Sequence, residues 1–196
     1  MGPGDPGWDI FFGDGGCVWS WRNPGVQAVE GTGQSTVIAN SSDGPIDFYG
    51  RPISERTWSI LDKFENAKVV EVIDARGNSS KILVIENLKK GEIKVGDLGN
   101  LQAVTGNEFS LFRGPDGQRV LIQGDPTQIS IPYKYTGEGW KWSGHSHSAN
   151  PRPSSNDKAV LELFDQDVSM IKSITGAEEV FDSSKDMSNW LPGWEG

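Results

Sequence analysis

Apolar and polar residues alternate along the chain in patterns that predict three helices separated by short strands. Apolar side chains at helical spacing over residues 53–66, with Ser54 as capping residue, predict the first helix. A short second helix is predicted over residues 95–106 and a third over residues 157–166. Alternating or continuous apolar runs predict strands at residues 68–74, 81–86, 108–112, 119–123, 128–132, 140–144 and 168–174.

Turn-forming residues organise these elements. Residues 75–79 and residues 114–117 are typical of hairpin connections. The first fifty residues are rich in Gly, Pro, Ser and Asp, which predicts a loop-rich segment with one or two short strands. Helices interleaved with antiparallel hairpins predict a mixed α/β (α+β) fold, in which a largely antiparallel sheet is flanked by helices. We therefore divide the 196-residue chain into a loop-rich N-terminal segment, residues 1–50, and one domain, residues 51–196.

Composition narrows the possible partners. The formal net charge is −9 and no cluster of Lys and Arg is visible, which argues against a nucleic acid partner. No run of 18 apolar residues occurs, so we expect no membrane span. The first eight residues contain neither a basic stretch nor an apolar segment, so we expect no signal peptide. Cys17 is the single cysteine, which excludes a disulfide within the chain.

The residues that point to chemistry lie near the third predicted helix. The two histidines of the chain, His145 and His147, are separated by one residue. On a strand such residues share a face, so their imidazoles could seat two corners of a metal tetrahedron; two exposed loop histidines are the alternative interpretation. Ser154 and Asp157 form a Ser-x-x-Asp element where the third helix begins. Asp157 can cap that helix, bind a metal, or do both.

Together these residues resemble the JAMM metalloprotease family, the zinc isopeptidases built on the MPN domain. That family has an upstream glutamate, then His-x-His-Pro, a short loop and Ser-x-x-Asp. The resemblance covers residues 95–176, with Ser148 in the place of the proline and a loop to Asp157 that is one residue shorter. It implies an MPN-like fold and a Zn²⁺ ion held by His145, His147 and Asp157.

The resemblance also assigns catalytic roles. A glutamate acts as the base and Ser154 donates a hydrogen bond to the oxyanion. Glu108 fits the glutamate best, because it opens the hairpin whose second strand leads on towards the histidines. Weaker alternatives occur elsewhere in the chain: Glu30, Glu71, Glu86 and Glu92.

Residues 2–6 resemble the junction behind which bacterial polymorphic toxins, such as the Rhs-type proteins, carry their C-terminal effector domains. Residues 106–124 and 144–147 are similar to the JAB-like toxin domains of that class. This similarity implies a secreted effector that is delivered into the cytoplasm of a target cell and hydrolyses a peptide or isopeptide bond in a protein substrate. It also implies a cognate immunity protein in the producing cell. Two other functions stay open, a non-catalytic MPN-like binding module and a metal-dependent nuclease toxin, although the acidic composition weighs against the nuclease.

Overall fold

The N-terminal part of the chain contains more strands than its composition predicts. The structure, a computed structural model, describes residues 8–13, 16–21, 26–31, 34–41, 44–73, 79–136 and 139–182. Two strands pair as a hairpin and three more form a second small sheet: β1 (Trp8–Gly13), β2 (Gly16–Trp21), β3 (Val26–Gly31), β4 (Gln34–Ser41) and β5 (Gly44–Ile46). The prediction of a loop-rich segment with one or two strands was therefore wrong. Gly and Ser break the apolar runs, but they do not prevent hairpin pairing.

A seven-stranded sheet forms the centre of the fold. Its order is β12-β11-β10-β8-β9-β7-β6, and every neighbouring pair is antiparallel except β10 and β11. The strands are β6 (Lys68–Ile73), β7 (Ser79–Leu88), β8 (Phe109–Arg113), β9 (Arg119–Gln123), β10 (Lys141–His147), β11 (Val168–Ser173) and β12 (Glu178–Asp182). The predicted fold class, a mixed and largely antiparallel sheet flanked by helices, is confirmed.

Helices cover both faces of this sheet. α1 (Glu55–Leu61) is capped by Ser54, as predicted, and continues as a 3-10 helix, Asp62–Asn66. α1 and α2 (Val95–Thr105) share a hydrophobic core with one face of β8 and β9. α3 (Ser155–Leu163) packs against the opposite face through a second core. Because β10, α3 and β11 follow one another in the chain and β10 and β11 are parallel, α3 is the crossover helix of this pair.

Two glycines allow α2 to approach the back of β10 and β11 closely. A Cβ atom on Gly144 would lie 2.6 Å from the carbonyl oxygen of Met170 and 2.7 Å from a methyl carbon of Val95. One on Gly99 would lie 2.4 Å from the carbonyl oxygen of Ser173. All three distances are below van der Waals contact, so larger residues would force the helix away from the sheet.

One predicted strand does not form, one observed strand was not predicted, and two predicted features lie wholly or partly outside the described residues. Residues 128–132 form no strand: Asp125 closes a turn by accepting hydrogen bonds from the backbone of Thr127 and Gln128, and a 3-10 helix follows at Tyr133–Tyr135. Strand β12 was not predicted, because residues 178–182 begin with two charged residues. The connection at residues 114–117 is a turn, with Gly117 at a φ of 81°. Residues 75–78 of the connection predicted at 75–79 lie outside the described residues, as do residues 2–6.

Candidate metal centre

Strand β10 carries both histidines on the face that α3 covers. The Nε2 atoms of His145 and His147 are 2.9 Å apart, and their rings meet edge to face. The side chain of His145 is 4% exposed and that of His147 is 19% exposed, so the pair lies at the rim of the core with one ring open to solvent. The alternative of two exposed loop histidines is therefore wrong, because the strand runs through to His147 and holds both rings on one face.

Asp157 on α3 meets the two imidazoles from the opposite side. Its Oδ1 atom lies 3.1 Å from Nε2 of His145, and its Oδ2 atom lies 3.6 Å from Nε2 of His147. The side chain is 14% exposed. The crossover from β10 through α3 to β11 explains this meeting, because it returns the start of α3 to the end of the histidine strand.

The start of α3 holds this carboxylate in place. Ser154, rather than Asp157, is the N-cap residue; its Oγ accepts a hydrogen bond from the Asp157 backbone N–H at 3.1 Å. In return, Oδ2 of Asp157 accepts a hydrogen bond from the Ser154 backbone N–H at 2.6 Å. This reciprocal capping box leaves Oδ1 directed at His145. One oxygen therefore caps the helix while the other faces the imidazoles, as the sequence allowed.

The three side chains converge closely enough to hold a metal ion. One ligand atom from each of His145, His147 and Asp157 can be chosen so that all lie within 4.8 Å of one another. Tetrahedral coordination at ~2.05 Å separates ligand atoms by about 3.3 Å. The two Nε2 atoms, 2.9 Å apart, and the pair of Asp157 Oδ1 and His145 Nε2, 3.1 Å apart, lie slightly closer than that value. Two nitrogens and one carboxylate suit zinc, but they also suit other divalent transition metals.

The protonation states favour metal binding at near-neutral pH. Burial lowers the pKa of His145, although the hydrogen bond to Asp157 acts in the opposite direction, so the ring is neutral and keeps a lone pair. Burial raises the pKa of Asp157, but its hydrogen bonds to His145 and Ser154 outweigh that effect and bring the pKa to about 2. Neutral imidazole and ionised carboxylate are the forms that bind metals.

The two histidines differ in what holds their second nitrogen. Nδ1 of His147 lies 3.0 Å from the backbone carbonyl oxygen of Asn150, an arrangement that places a proton on Nδ1 and leaves Nε2 free as a ligand. Nδ1 of His145 is buried and, among the described residues, has no hydrogen-bond partner. A backbone carbonyl therefore holds Nδ1 of His147, whereas only the Nε2 side of the His145 ring makes a hydrogen bond, to Asp157.

Glu108 lies immediately before β8, on the same face as the histidines. Ser110 pairs with His145 in the antiparallel register, and the backbone N–H of Phe109 donates to Ser146 Oγ at 2.9 Å. Continuing this register by two residues sets Glu108 across from His147. Burial, followed by the negative charges of Asp157 and Asp125, raises the pKa of Glu108 to about 8. Groups whose pKa is shifted this far by burial and neighbouring charges are typical of functional sites.

The other glutamates considered from the sequence do not share this position. Glu86 is bound by two lysines and Tyr135, and Glu92 pairs with Lys63. Glu71 lies on the edge strand β6, which three strands separate from β10. Glu30 lies on β3, in the three-stranded sheet, and its side chain is outside the described residues.

Sequence reasoning missed one aromatic contact of the site. In a strand of regular pleat, Trp140 and Trp142 would alternate with the metal-facing residues and belong to the core. Trp142 does belong to the core, but its indole also stacks on the imidazole of His145, with centroids 4.7 Å apart and planes 23° from parallel. A β-bulge between Trp142 and Gly144 shifts the register and turns the indole to the histidine face. Nothing in the sequence pattern indicated this bulge.

Comparisons with protein-family models, with curated proteins and with solved structures gave no match to this chain. Within the described residues, no helix has the length and apolar character needed to cross a membrane.

Proposed function

We propose that this protein is a metal-dependent hydrolase, with zinc as its metal, that cleaves a peptide or isopeptide bond. One observation carries the proposal: His145, His147 and Asp157 converge on one face of the sheet, and Glu108 lies on the same face. The partial exposure of His147 and Asp157 supports it further, because a substrate must reach the site from solvent.

The roles of the residues follow from their positions. His145, His147 and Asp157 would hold the ion, which when bound supplies positive charge that acidifies water and polarises a carbonyl group. Glu108 accepts a proton from the attacking water and later delivers it to the leaving amine, so that water is split between the two products. The Ser154 hydroxyl accepts a hydrogen bond from the Asp157 backbone, and its own proton can be donated to the substrate's carbonyl oxygen.

Metal analysis tests the ligand set. We expect about one equivalent of zinc per chain in the purified protein, and its loss in His145→Ala and Asp157→Ala. Asp165→Asn is a matched control, because Asp165 is an exposed residue just beyond the same helix. Zinc retained at the wild-type level by both ligand variants would refute the site.

Activity analysis tests the base. Wild-type protein, incubated with a mixture of peptides and lysine-linked isopeptides, should generate new amino termini or free lysine side chains that mass spectrometry can detect. Glu108→Gln should keep zinc and lose hydrolysis, whereas Glu162→Gln, on the exposed side of α3, should keep both. A Glu108→Gln variant with full activity would exclude Glu108 as the base.

We propose further, from the resemblance described above, that the hydrolase is an effector that acts on a protein in the cytoplasm of a target cell and is neutralised by an immunity protein. Inducible expression in a bacterial cytoplasm should stop growth, and His145→Ala should relieve this effect. Zinc binding without any hydrolysis would favour the binding module. Metal-dependent degradation of plasmid DNA or RNA would favour the nuclease.

A further inference from the structure

The metal-facing ring of His145 lacks the contact that usually orients such a ligand. A histidine bound to a metal through one nitrogen generally donates the proton of the other to a carboxylate or a carbonyl group. His147 has this arrangement through Asn150, but Nδ1 of His145 lies in the core and has no partner within the described part of the chain. On the Nδ1 side, away from Asp157 and His147, the orientation of the His145 ring therefore comes from packing.

Two aromatic residues provide that packing. The indole of Trp142 lies against the face of His145 at 4.7 Å, and Phe181 meets the imidazole at 81°, with centroids 6.2 Å apart. Phe181 also meets Trp142 edge to face at 5.9 Å. A ring held between a stacked neighbour and a perpendicular one has little freedom to rotate about χ2.

Hydrogen bonds hold Trp142 in place in addition to its packing. Its indole Nε1 donates to Ser110 Oγ at 2.6 Å. Its backbone N–H donates to the side-chain oxygen of Gln166 at 2.9 Å, and its carbonyl oxygen accepts from the side chains of Gln166 and Ser169. With 3% exposure, Trp142 is a rigid platform whose polar groups all have partners.

The β-bulge gives this platform its direction. Trp142 and His145 are three residues apart, so in a regular strand they would point to opposite faces. The register shift between Trp142 and Gly144 adds one residue and brings both rings to the same face. From this geometry we propose that Trp142 is a positioning residue that orients His145 for metal binding, an inference that rests on the proposed metal site.

Imidazole NMR tests the stacking without any metal. The chain has two histidines, so the spectrum of the metal-free protein contains one set of ring signals from each. We expect the His145 ring protons to be shifted upfield by the indole, and to return towards ordinary values in Trp142→Leu. Trp140→Phe is the matched control: Trp140 packs on Tyr135 rather than on a histidine, so both sets should stay in place. Unchanged His145 signals in Trp142→Leu would overturn the proposal.

Zinc affinity, measured by competition with a chelator, tests the consequence. We expect Trp142→Leu to lose about 10- to 100-fold in affinity, the range found for residues that orient metal ligands, and Trp142→Phe to recover part of it by restoring a stacked ring. Trp140→Phe should stay within twofold of wild type. Wild-type affinity in a folded Trp142→Leu or Trp142→Phe variant would overturn the proposal.

Failure of the metal site itself gives a different pattern. If the wild-type protein takes up no zinc, the proposed function fails, while the NMR comparison still decides whether Trp142 orients His145. If Trp142→Leu does not fold, Trp142→Phe decides alone: an intermediate His145 shift together with reduced zinc affinity supports the positioning role, and wild-type values for both refute it.

Discussion

Replacing Glu108 by Gln should stabilise the metal-free protein, and more so as the pH rises. The folded protein holds the pKa of Glu108 near 8, against an ordinary value of 4.5, because the side chain is partly buried and lies near the negative charges of Asp157 and Asp125. The folded state therefore binds more protons than the unfolded state between these two values, and the wild-type protein loses stability as the pH rises through them. Glutamine has nearly the same shape but cannot ionise, so the variant does not undergo this loss.

The size of the effect follows from the pKa shift. Each pH unit between the ordinary pKa and the pH of the solution costs the wild-type protein about 1.4 kcal/mol, up to the raised pKa. At pH 5 the free energy of unfolding of Glu108→Gln should exceed that of wild type by about 1 kcal/mol. At pH 7 the excess should be about 3 kcal/mol, so the difference between the two proteins grows by about 2 kcal/mol.

Urea unfolding in the presence of EDTA, followed by tryptophan fluorescence at pH 5, 6, 7 and 8, measures this difference. Subtracting the wild-type curve from the variant curve largely cancels titrations that both proteins share, including those of the histidines. Glu162→Gln, on the exposed side of α3, is the control and should follow wild type at every pH. A difference that does not change with pH would refute the burial and charge argument for Glu108.

Three further outcomes are expected. Gly99→Ala should reduce the free energy of unfolding by about 2 kcal/mol, because the added Cβ meets the carbonyl oxygen of Ser173. Gly96 has open space around its Cβ position, so Gly96→Ala should be neutral or slightly stabilising in thermal denaturation. Glu86→Gln should reduce the free energy of unfolding by about 1–2 kcal/mol at pH 7. The hydrogen bonds of two lysines and a tyrosine lower the pKa of Glu86 to about 2. The stabilisation by ionised Glu86 is therefore present above pH 4.5 and is lost as the pH falls towards 2. Ser154→Ala should keep zinc but lose about 1 kcal/mol of stability, because it removes the helix cap. It should also slow hydrolysis about 10²- to 10³-fold, because it removes a hydrogen-bond donor to the oxyanion. Ser154→Thr should restore the stability, measured by unfolding, and the rate of hydrolysis, measured by turnover.

The parts of the fold that the sequence predicted are those fixed by local pattern. Apolar periodicity and continuous apolar runs located α1, α2 and the strands from β6 to β11 except at their ends, since each contributes apolar side chains to one of the two cores. Residues 128–132 show the same alternation, and Ile129 and Ile131 do pack against the second core. They form no strand because an apolar pattern reports burial, whereas a strand also needs a neighbour with free backbone groups.

In the candidate site, too, the sequence predicted the parts that local pattern fixes and not those that depend on the fold. The sequence placed His145 and His147 on one face because that depends only on a strand of regular pleat. It placed Asp157 at the start of a helix because Asp is a strong capping residue, although the N-cap in the structure is Ser154. That the helix start returns to the histidines depends on the crossover between parallel strands, which only the fold supplies.

The bulge between Trp142 and Gly144 explains why the surroundings of the histidines could not be predicted. Strand periodicity assigns a face by counting residues, and one inserted residue reverses the assignment for everything on its far side. Counting from His145 puts Trp142 on the wrong face, whereas the structure stacks the two rings. The histidine pair lies wholly on one side of the irregularity and was unaffected by it. The bulge that breaks the strand periodicity therefore also brings the indole to the imidazole. The packing that supports the candidate metal ligand depends on a backbone irregularity that no residue type in this stretch predicts.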